Sequence, residues 1–266
     1  MREVQSQIAL MDSWSDKLRS DKLRTYKGRI LYRPTGRAGE YGELALNLFT
    51  TCPFGCVYCY VPSVLEKSRA DFVRHGPPRA GLLSALRRDL AELGPGPEQV
   101  FMCFTCDPYQ PAGVESGITR AAIETIHHHG RGVRILTKAG VAAVRDLDLF
   151  GPADAFGVSL TTLDRAVSAR WERNAAPPED RIEAMTRFHK AGISTWVSLE
   201  PVIDPQATLE IIRATYRVVD EYKLGPINYS PLAKSVDWRS FAYEAKDLLE
   251  GLGCRYYFKQ DLRKHL

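Results

Sequence analysis

No stretch of this 266-residue sequence contains the roughly 18 consecutive apolar residues of a membrane-spanning helix. Its first residues, Met1-Arg2-Glu3-Val4-Gln5-Ser6, lack a hydrophobic signal region. These absences lead us to expect a cytoplasmic protein with no membrane partner. Internal repeats, low-complexity tracts and an obvious linker are also missing, so the expectation is one domain over 1–266, with an N-terminal arm (1–40), a core (41–231) and a C-terminal helix and tail (232–266). Cysteine is scarce. The six present are clustered in a way that suits a reducing compartment and a metal better than a disulfide framework. A strong charge of one sign is absent too, and a net charge of +4 does not by itself argue for nucleic acid. The basic residues are unevenly spread, however. Lys17, Arg19, Lys22, Arg24, Lys27, Arg29, Arg33 and Arg37 make a basic beginning, and Arg255, Lys259, Arg263 and Lys264 a basic end. Two such segments can flank a phosphate-bearing substrate or simply be solvated surface.

The 44% of hydrophobic residues suffice for a sizeable core. Residues 1–28 are polar and helix-permissive, which predicts a helical, basic arm. Ile30-Leu31-Tyr32 reads as a short strand ended by Pro34, and 43–50 as a strand leading into a cysteine-rich loop. Strands then alternate with helices: strands at 99–105, 133–137, 155–160, 194–199 and 227–230, and helices at 80–93, 116–129, 140–149 and 178–191, followed by two more with Leu209, Ile212, Tyr216 and Val219, and Phe241, Ala245, Leu248 and Leu252, on their stripes. Strand–helix units with apolar strands predict an α/β fold with a parallel sheet. Six units are too few for a closed eightfold barrel, so the expectation is a partial, open (β/α)6 TIM-like barrel of parallel strands.

The stretch Thr51-Cys52-Pro53-Phe54-Gly55-Cys56-Val57-Tyr58-Cys59-Tyr60 puts three thiols at C-x3-C-x2-C spacing. A [4Fe–4S] cube held by three of them leaves one iron open to another ligand. A closed structural zinc site needs four protein ligands, and no fourth Cys or His follows at finger or ribbon spacing. A zinc knuckle completed from a distance, or three unrelated buried cysteines, are the alternative readings. In parallel barrels, functional groups gather at the C-terminal strand ends. Reading past each predicted strand gives Cys52/Cys56/Cys59, Thr105-Cys106-Asp107, Thr137-Lys138, Ser159 and Thr161, Ser198 and Glu200, and Asn228 with Ser230, all polar and all expected at one mouth. Glu200 can bind a hydroxyl or ammonium there and, if buried, needs a partner. Asp107 and Gln110, in the rigid Asp107-Pro108-Tyr109-Gln110-Pro111, are candidates for substrate contact or turn capping.

The cysteine spacing, with Tyr58 just before the third Cys, resembles the signature of the radical S-adenosylmethionine (SAM) superfamily. Ala45-Leu46-Asn47-Leu48-Phe49 and Asp107-Pro108-Tyr109-Gln110-Pro111 make the chain similar to the spore photoproduct lyase branch, over about residues 44–205. The resemblance implies a [4Fe-4S] cluster on Cys52, Cys56 and Cys59 and SAM on its open iron. One-electron cleavage then yields methionine and a 5′-deoxyadenosyl radical that removes a substrate hydrogen atom. It implies SAM contacts at Lys138, for the carboxylate, and at Ser159 or Thr161, for the carboxylate or ribose. Thr105, Ser198 and Glu200 are further cofactor-binding candidates, and Tyr58 packs over the cluster. Cys106 is expected to return a hydrogen atom to a substrate radical. Cys103, placed on the opposite face by strand periodicity, is the alternative donor. The implied partners are a reductant such as flavodoxin or ferredoxin and a nucleotide, nucleic acid or related substrate. A peptide or protein side chain as substrate, and a non-catalytic iron–sulfur or zinc protein that binds nucleic acid, are the competing readings.

Overall fold

Seven strands lie side by side in chain order, each parallel to the next: β1 (Leu44–Leu46), β2 (Val100–Met102), β3 (Val133–Thr137), β4 (Ala155–Ser159), β5 (Ser194–Val202), β6 (Glu221–Pro226) and β7 (Arg255–Phe258). The structure is a computed structural model that describes residues 28–228 and 230–266. Most of the expected arm, including Lys17, Arg19, Lys22, Arg24 and Lys27, lies outside the described residues. No pairing joins β1 to β7, so the parallel sheet is the expected open barrel.

Alternation along the strands sorts the core into two parts. Leu44, Leu46, Val100, Met102, Ile135, Phe156 and Val197 join the large outer core. There they meet Leu86 and Leu90 of the helix Leu82–Leu93, Ile123 and Ile126 of Ile118–His128, and Met185 and Phe188 of Pro178–Lys190. The opposite strand positions, Ala45, Phe101, Ala155 and Trp196, join Tyr41, Phe104 and Leu136 in a small inner core. Phe101 and Phe104 stack with ring centroids 4.2 Å apart, and Tyr41 lies 5.8 Å from Trp196. Gly157 makes room for this cluster, since a Cβ there would come within 2.3 Å of the Trp196 ring. Below it, Arg134 covers the Trp196 ring at 4.3 Å and pairs with Glu221 at 2.6 Å. Inside the barrel there is thus an ion pair at the bottom, an aromatic layer above it, and a cavity at the strands' C-terminal ends.

Five expectations need correction. The last strand of the expected six is Glu221–Pro226, not 227–230; its Glu, Lys, Gly and Pro hide it from a reading based on apolar runs. The tail contains a seventh strand, β7, an edge strand of only four residues whose pattern runs from exposed to buried. The helix expected at 116–129 is broken at Gly117, whose φ of 68° ends one short helix (Pro111–Ser116) before the next begins. The 140–149 segment forms a 3₁₀ helix. Ile30-Leu31-Tyr32 forms no strand; Tyr32 makes one antiparallel bridge to Ala45, and the amides of Ile30 and Leu31 bond the buried Asp89 carboxylate at 2.6 and 3.1 Å. No helix among the described residues is long and apolar enough to cross a membrane.

Candidate active site

The period-two row that fills the inner core continues upward into polar residues. Beyond Leu136 comes Lys138, beyond Gly157 Ser159, and beyond Trp196 Ser198 and Glu200, all on the wall of one cavity of about 640 Å³, which Cys103 also lines from just past the end of β2. The cysteine loop forms the facing wall with Cys52, Cys56, Tyr58 and Cys59, and Thr105 and Cys106 complete it. Of the twelve residues to which the sequence gave a cluster, cofactor or hydrogen-donor role, eleven therefore share one cavity. Thr161 does not line it; it is buried, and its hydroxyl has no partner among the described residues.

The cysteine loop is pinned through its backbone. The Cys52 amide bonds the Phe72 carbonyl at 2.9 Å, and the Arg69 guanidinium grips the carbonyls of Cys56 and Cys59 at 2.8 and 3.2 Å. Asn174 holds the carbonyls of Pro53, through its side chain at 2.8 Å, and Phe54, through its amide at 3.1 Å. Burial pushes the three thiols up, Cys56 to about 11, with the neighbouring thiols and acids adding to it at Cys52 and Cys56. Such sulfurs become thiolates when a cationic centre takes the protons' place. This soft donor set of three, with no fourth protein ligand in the loop, fits a cluster with one open iron. No three His, Cys, Asp or Glu side chains among the described residues close around a single ion.

Lys138 sits between the loop and the strands, its ammonium 5.8 Å from the Tyr58 ring centroid. Burial alone would lower its affinity for a proton, but Cys56, Glu172 and Asp107 outweigh that and hold the ammonium charged. Asp107 also lines the cavity, yet its carboxylate is occupied. It accepts from the Thr137 hydroxyl and the Lys138 amide, both at 2.7 Å, and from the Tyr109 amide at 2.9 Å. It braces the end of β3, which is the turn-capping reading, and Gln110 is buried outside the cavity wall. The loop after β2 is held likewise: the Asn47 side-chain carbonyl accepts from the amides of Phe104 and Thr105 at 2.8 and 2.9 Å.

Cys103 and Cys106 do not face opposite ways. Strand alternation stops at Met102, and in the bend that follows both thiols reach the cavity. Cys106 is raised by burial and then by its hydrogen-bonded neighbour Cys103. Across the cavity, Glu200 has the partner that burial demands: Lys259 meets both its oxygens at 2.9 and 3.0 Å, and the Tyr41 hydroxyl donates to it. Tyr41 also bonds Ser198 at 2.8 Å. Gly225 leaves space for this carboxylate, for a Cβ would lie 2.9 Å from its carbon. Tyr41 and Lys259 were missed because the first lies in the segment before β1 and the second just beyond the unrecognised β7. Only the demand for a partner to Glu200 could have pointed to Lys259.

The sequence matches the model of the radical SAM superfamily over residues 46–219. No curated protein matches it. Among solved structures it is similar to a spore photoproduct lyase variant with bound AdoMet and dinucleoside spore photoproduct (TM-score 0.62, 17% identity, covering 88% of this chain and 81% of that one). Another spore photoproduct lyase variant gives a TM-score of 0.64 at 16% identity, with the same coverage. Streptococcus suis SuiB bound to S-adenosylmethionine gives 0.55 at 14% identity, covering 80% of this chain and 46% of that one. At such identities the structural likeness concerns the fold, while the family match spans most of the chain and contains all three loop cysteines. This chain belongs to the radical SAM superfamily.

Proposed function

We propose that this protein is a radical SAM enzyme that removes a hydrogen atom from a nucleotide, nucleic acid or related substrate. The observation that carries the reading is the meeting of the cysteine loop with Lys138 and Ser159 across one cavity. Cys52, Cys56 and Cys59 would hold a [4Fe-4S] cluster, and Lys138 and Ser159 the polar end of SAM. When bound, cluster and SAM together supply a one-electron cleavage of the sulfonium's C5′–S bond and an oxidising carbon radical. The chain's own residues bind, orient and shield. Lys138 presents a positive charge to a carboxylate, Ser159, Thr105 and Ser198 offer hydroxyls, and Glu200, paired with Lys259, offers an acceptor for a sugar diol. Tyr58 walls the loop side. Thr161, off the cavity wall, takes no part in this set. Cys106, with Cys103 beside it, can return a hydrogen atom to a substrate radical and itself become a thiyl radical, because an S–H bond yields its hydrogen more readily than a carbon centre does.

The aromatic floor of Tyr41, Phe101 and Phe104, with the half-exposed Tyr60 at the rim, supports a planar base as part of the substrate. The dinucleoside bound by the structurally similar spore photoproduct lyase points the same way. Electrons would come from a small carrier such as flavodoxin or ferredoxin. Anaerobic reconstitution of single Cys→Ala variants tests the reading. Each of Cys52→Ala, Cys56→Ala and Cys59→Ala should lose most of the roughly four irons of a cube, and the parent protein should release 5′-deoxyadenosine when reduced with SAM. Equal iron loss in Cys103→Ala or Cys254→Ala, or a colourless zinc-loaded protein, overturns it.

A further inference from the structure

Glu172 and Arg181 form no part of the cavity wall, yet both side chains are 0% exposed and they meet at 2.6 Å. On one side the pair holds the cysteine loop. Cys56 bridges backbone to backbone with Glu172, the Val57 amide bonds the Trp171 carbonyl at 2.8 Å, and the Tyr58 hydroxyl donates to the Glu172 carboxylate. On the other side it holds the barrel. Arg181 donates to the Ser159 carbonyl at 2.9 Å and to the Ala176 carbonyl at 2.7 Å, and the Ala176 amide bonds the Lys138 carbonyl at 2.9 Å. The loop and the ends of β3 and β4 are far apart in sequence, and this pair joins the contacts of the one to those of the other through buried side chains.

Buried ion pairs are poor devices for stability alone, because apolar side chains of the same volume serve packing at less desolvation cost. What the pair adds is direction. The planar fork of Arg181 can satisfy a carboxylate and two carbonyls only in one arrangement. Glu172 also offsets two positive groups, Arg181 and the nearby Lys138.

We infer that Glu172 and Arg181 are positioning residues that set the register between the cysteine loop and the strand ends carrying Lys138 and Ser159. Without the pair the loop can still ligate a cluster, but the cluster and the SAM-binding side chains no longer face each other at the right offset. The SAM arm of this inference rests on the function proposed above; the loop-to-strand register does not.

The test uses anaerobically reconstituted parent, Glu172→Gln, Arg181→Lys and Tyr58→Phe proteins. Three quantities are read: iron per chain, the SAM dissociation constant from the change SAM makes in the reduced cluster's electron paramagnetic resonance, and amide hydrogen exchange. Glu172→Gln keeps the shape and loses the charge. We expect parental iron content, exchange about tenfold faster or more in the peptide 52–60 with no change in 82–93, and a SAM dissociation constant raised about tenfold or more. Arg181→Lys keeps the charge and loses the fork, and Tyr58→Phe cuts a single link; each should shift both readouts in the same direction by a smaller factor. A residue that merely stabilised the fold would lower iron content and protect every helix less, with parental SAM affinity in the folded fraction. Parental exchange in 52–60 together with parental SAM affinity in Glu172→Gln overturns the inference. Should that variant fail to fold, parental values in both of the others overturn it. If the parent itself shows no SAM-dependent change, the proposed function fails, and the exchange data still decide the register.

Discussion

Lys223 of β6 lies directly under the cavity floor, with its ammonium 5.3 Å from the Tyr41 ring centroid and 5.2 Å from that of Tyr257. It is buried, and it donates to the Glu40 carbonyl at 2.7 Å. Burial first, then the charges of Arg134 and Lys259, outweigh Glu221 and Glu40 and bring it from 10.5 down to about 8. That displacement corresponds to a penalty of roughly 3 kcal/mol on the charged form in the folded state. Below about pH 8 the folded and unfolded lysines are both protonated, and the fold carries the whole penalty. Between about 8 and 10.5 the folded lysine is neutral while the unfolded one keeps its proton, so stability rises with pH. By about pH 9.5 some 2 kcal/mol should be regained. Lys223→Met has nothing to titrate. Its lost hydrogen bond and ring contacts make a constant offset of about 1–3 kcal/mol, whatever the pH. We therefore expect the difference in unfolding free energy, parent minus variant, to grow by about 2 kcal/mol between pH 7 and about pH 9.5 in anaerobic urea titrations. Because every other titrating group appears in both proteins, its contribution cancels. A difference that stays flat to within about 0.5 kcal/mol across that range would refute the reasoning.

Asp107→Ala should leave the Thr137 hydroxyl and the amides of Lys138 and Tyr109 without their acceptor, lowering stability by about 3–5 kcal/mol and the melting temperature by roughly 10 °C; calorimetry giving a loss under about 1 kcal/mol would return Asp107 to the substrate. Lys138→Ala and Ser159→Ala should each weaken SAM binding about ten- to hundredfold with the cluster's absorption spectrum intact, and unchanged affinity in both would reject their role. Cys106→Ala, given substrate, should still release 5′-deoxyadenosine but divert the product to a trapped or misquenched species. The parental product formed at the parental rate would make Cys106 structural.

How much of this was legible in the sequence varied with the kind of signal. The cysteine loop could be read because its chemistry is local: three soft donors within ten residues need no tertiary context. The strand-end rule then recovered Lys138, Ser159, Ser198 and Glu200, because a parallel sheet sends every strand end to the same side. Cys103 was misjudged because alternation was carried past Met102, where the strand stops. β6 escaped because its inward positions hold Glu221, Lys223 and Gly225, residues whose burial depends on partners elsewhere: Arg134, the Glu40 carbonyl, and the space Glu200 requires. Glu172 and Arg181 stand in a polar stretch between the fourth strand and its helix, and the sequence assigns them no role. Only the fold shows that they are sealed inside it.

The order of the sheet also bears on how the protein is made. Every strand pairs with the strand next to it in sequence, so a chain emerging from the ribosome can add one unit at a time to an existing edge, without threading. Closure of the cavity's electrostatics does not follow that gradual course. Glu200 is synthesised 59 residues before Lys259, the ammonium that neutralises it. Until β7 docks, the nascent barrel has its cysteine loop, Lys138 and Ser159 in hand but an unbalanced carboxylate in its wall. Translation therefore builds the cluster side of the pocket first and leaves the opposite side hydrated until the last strand arrives.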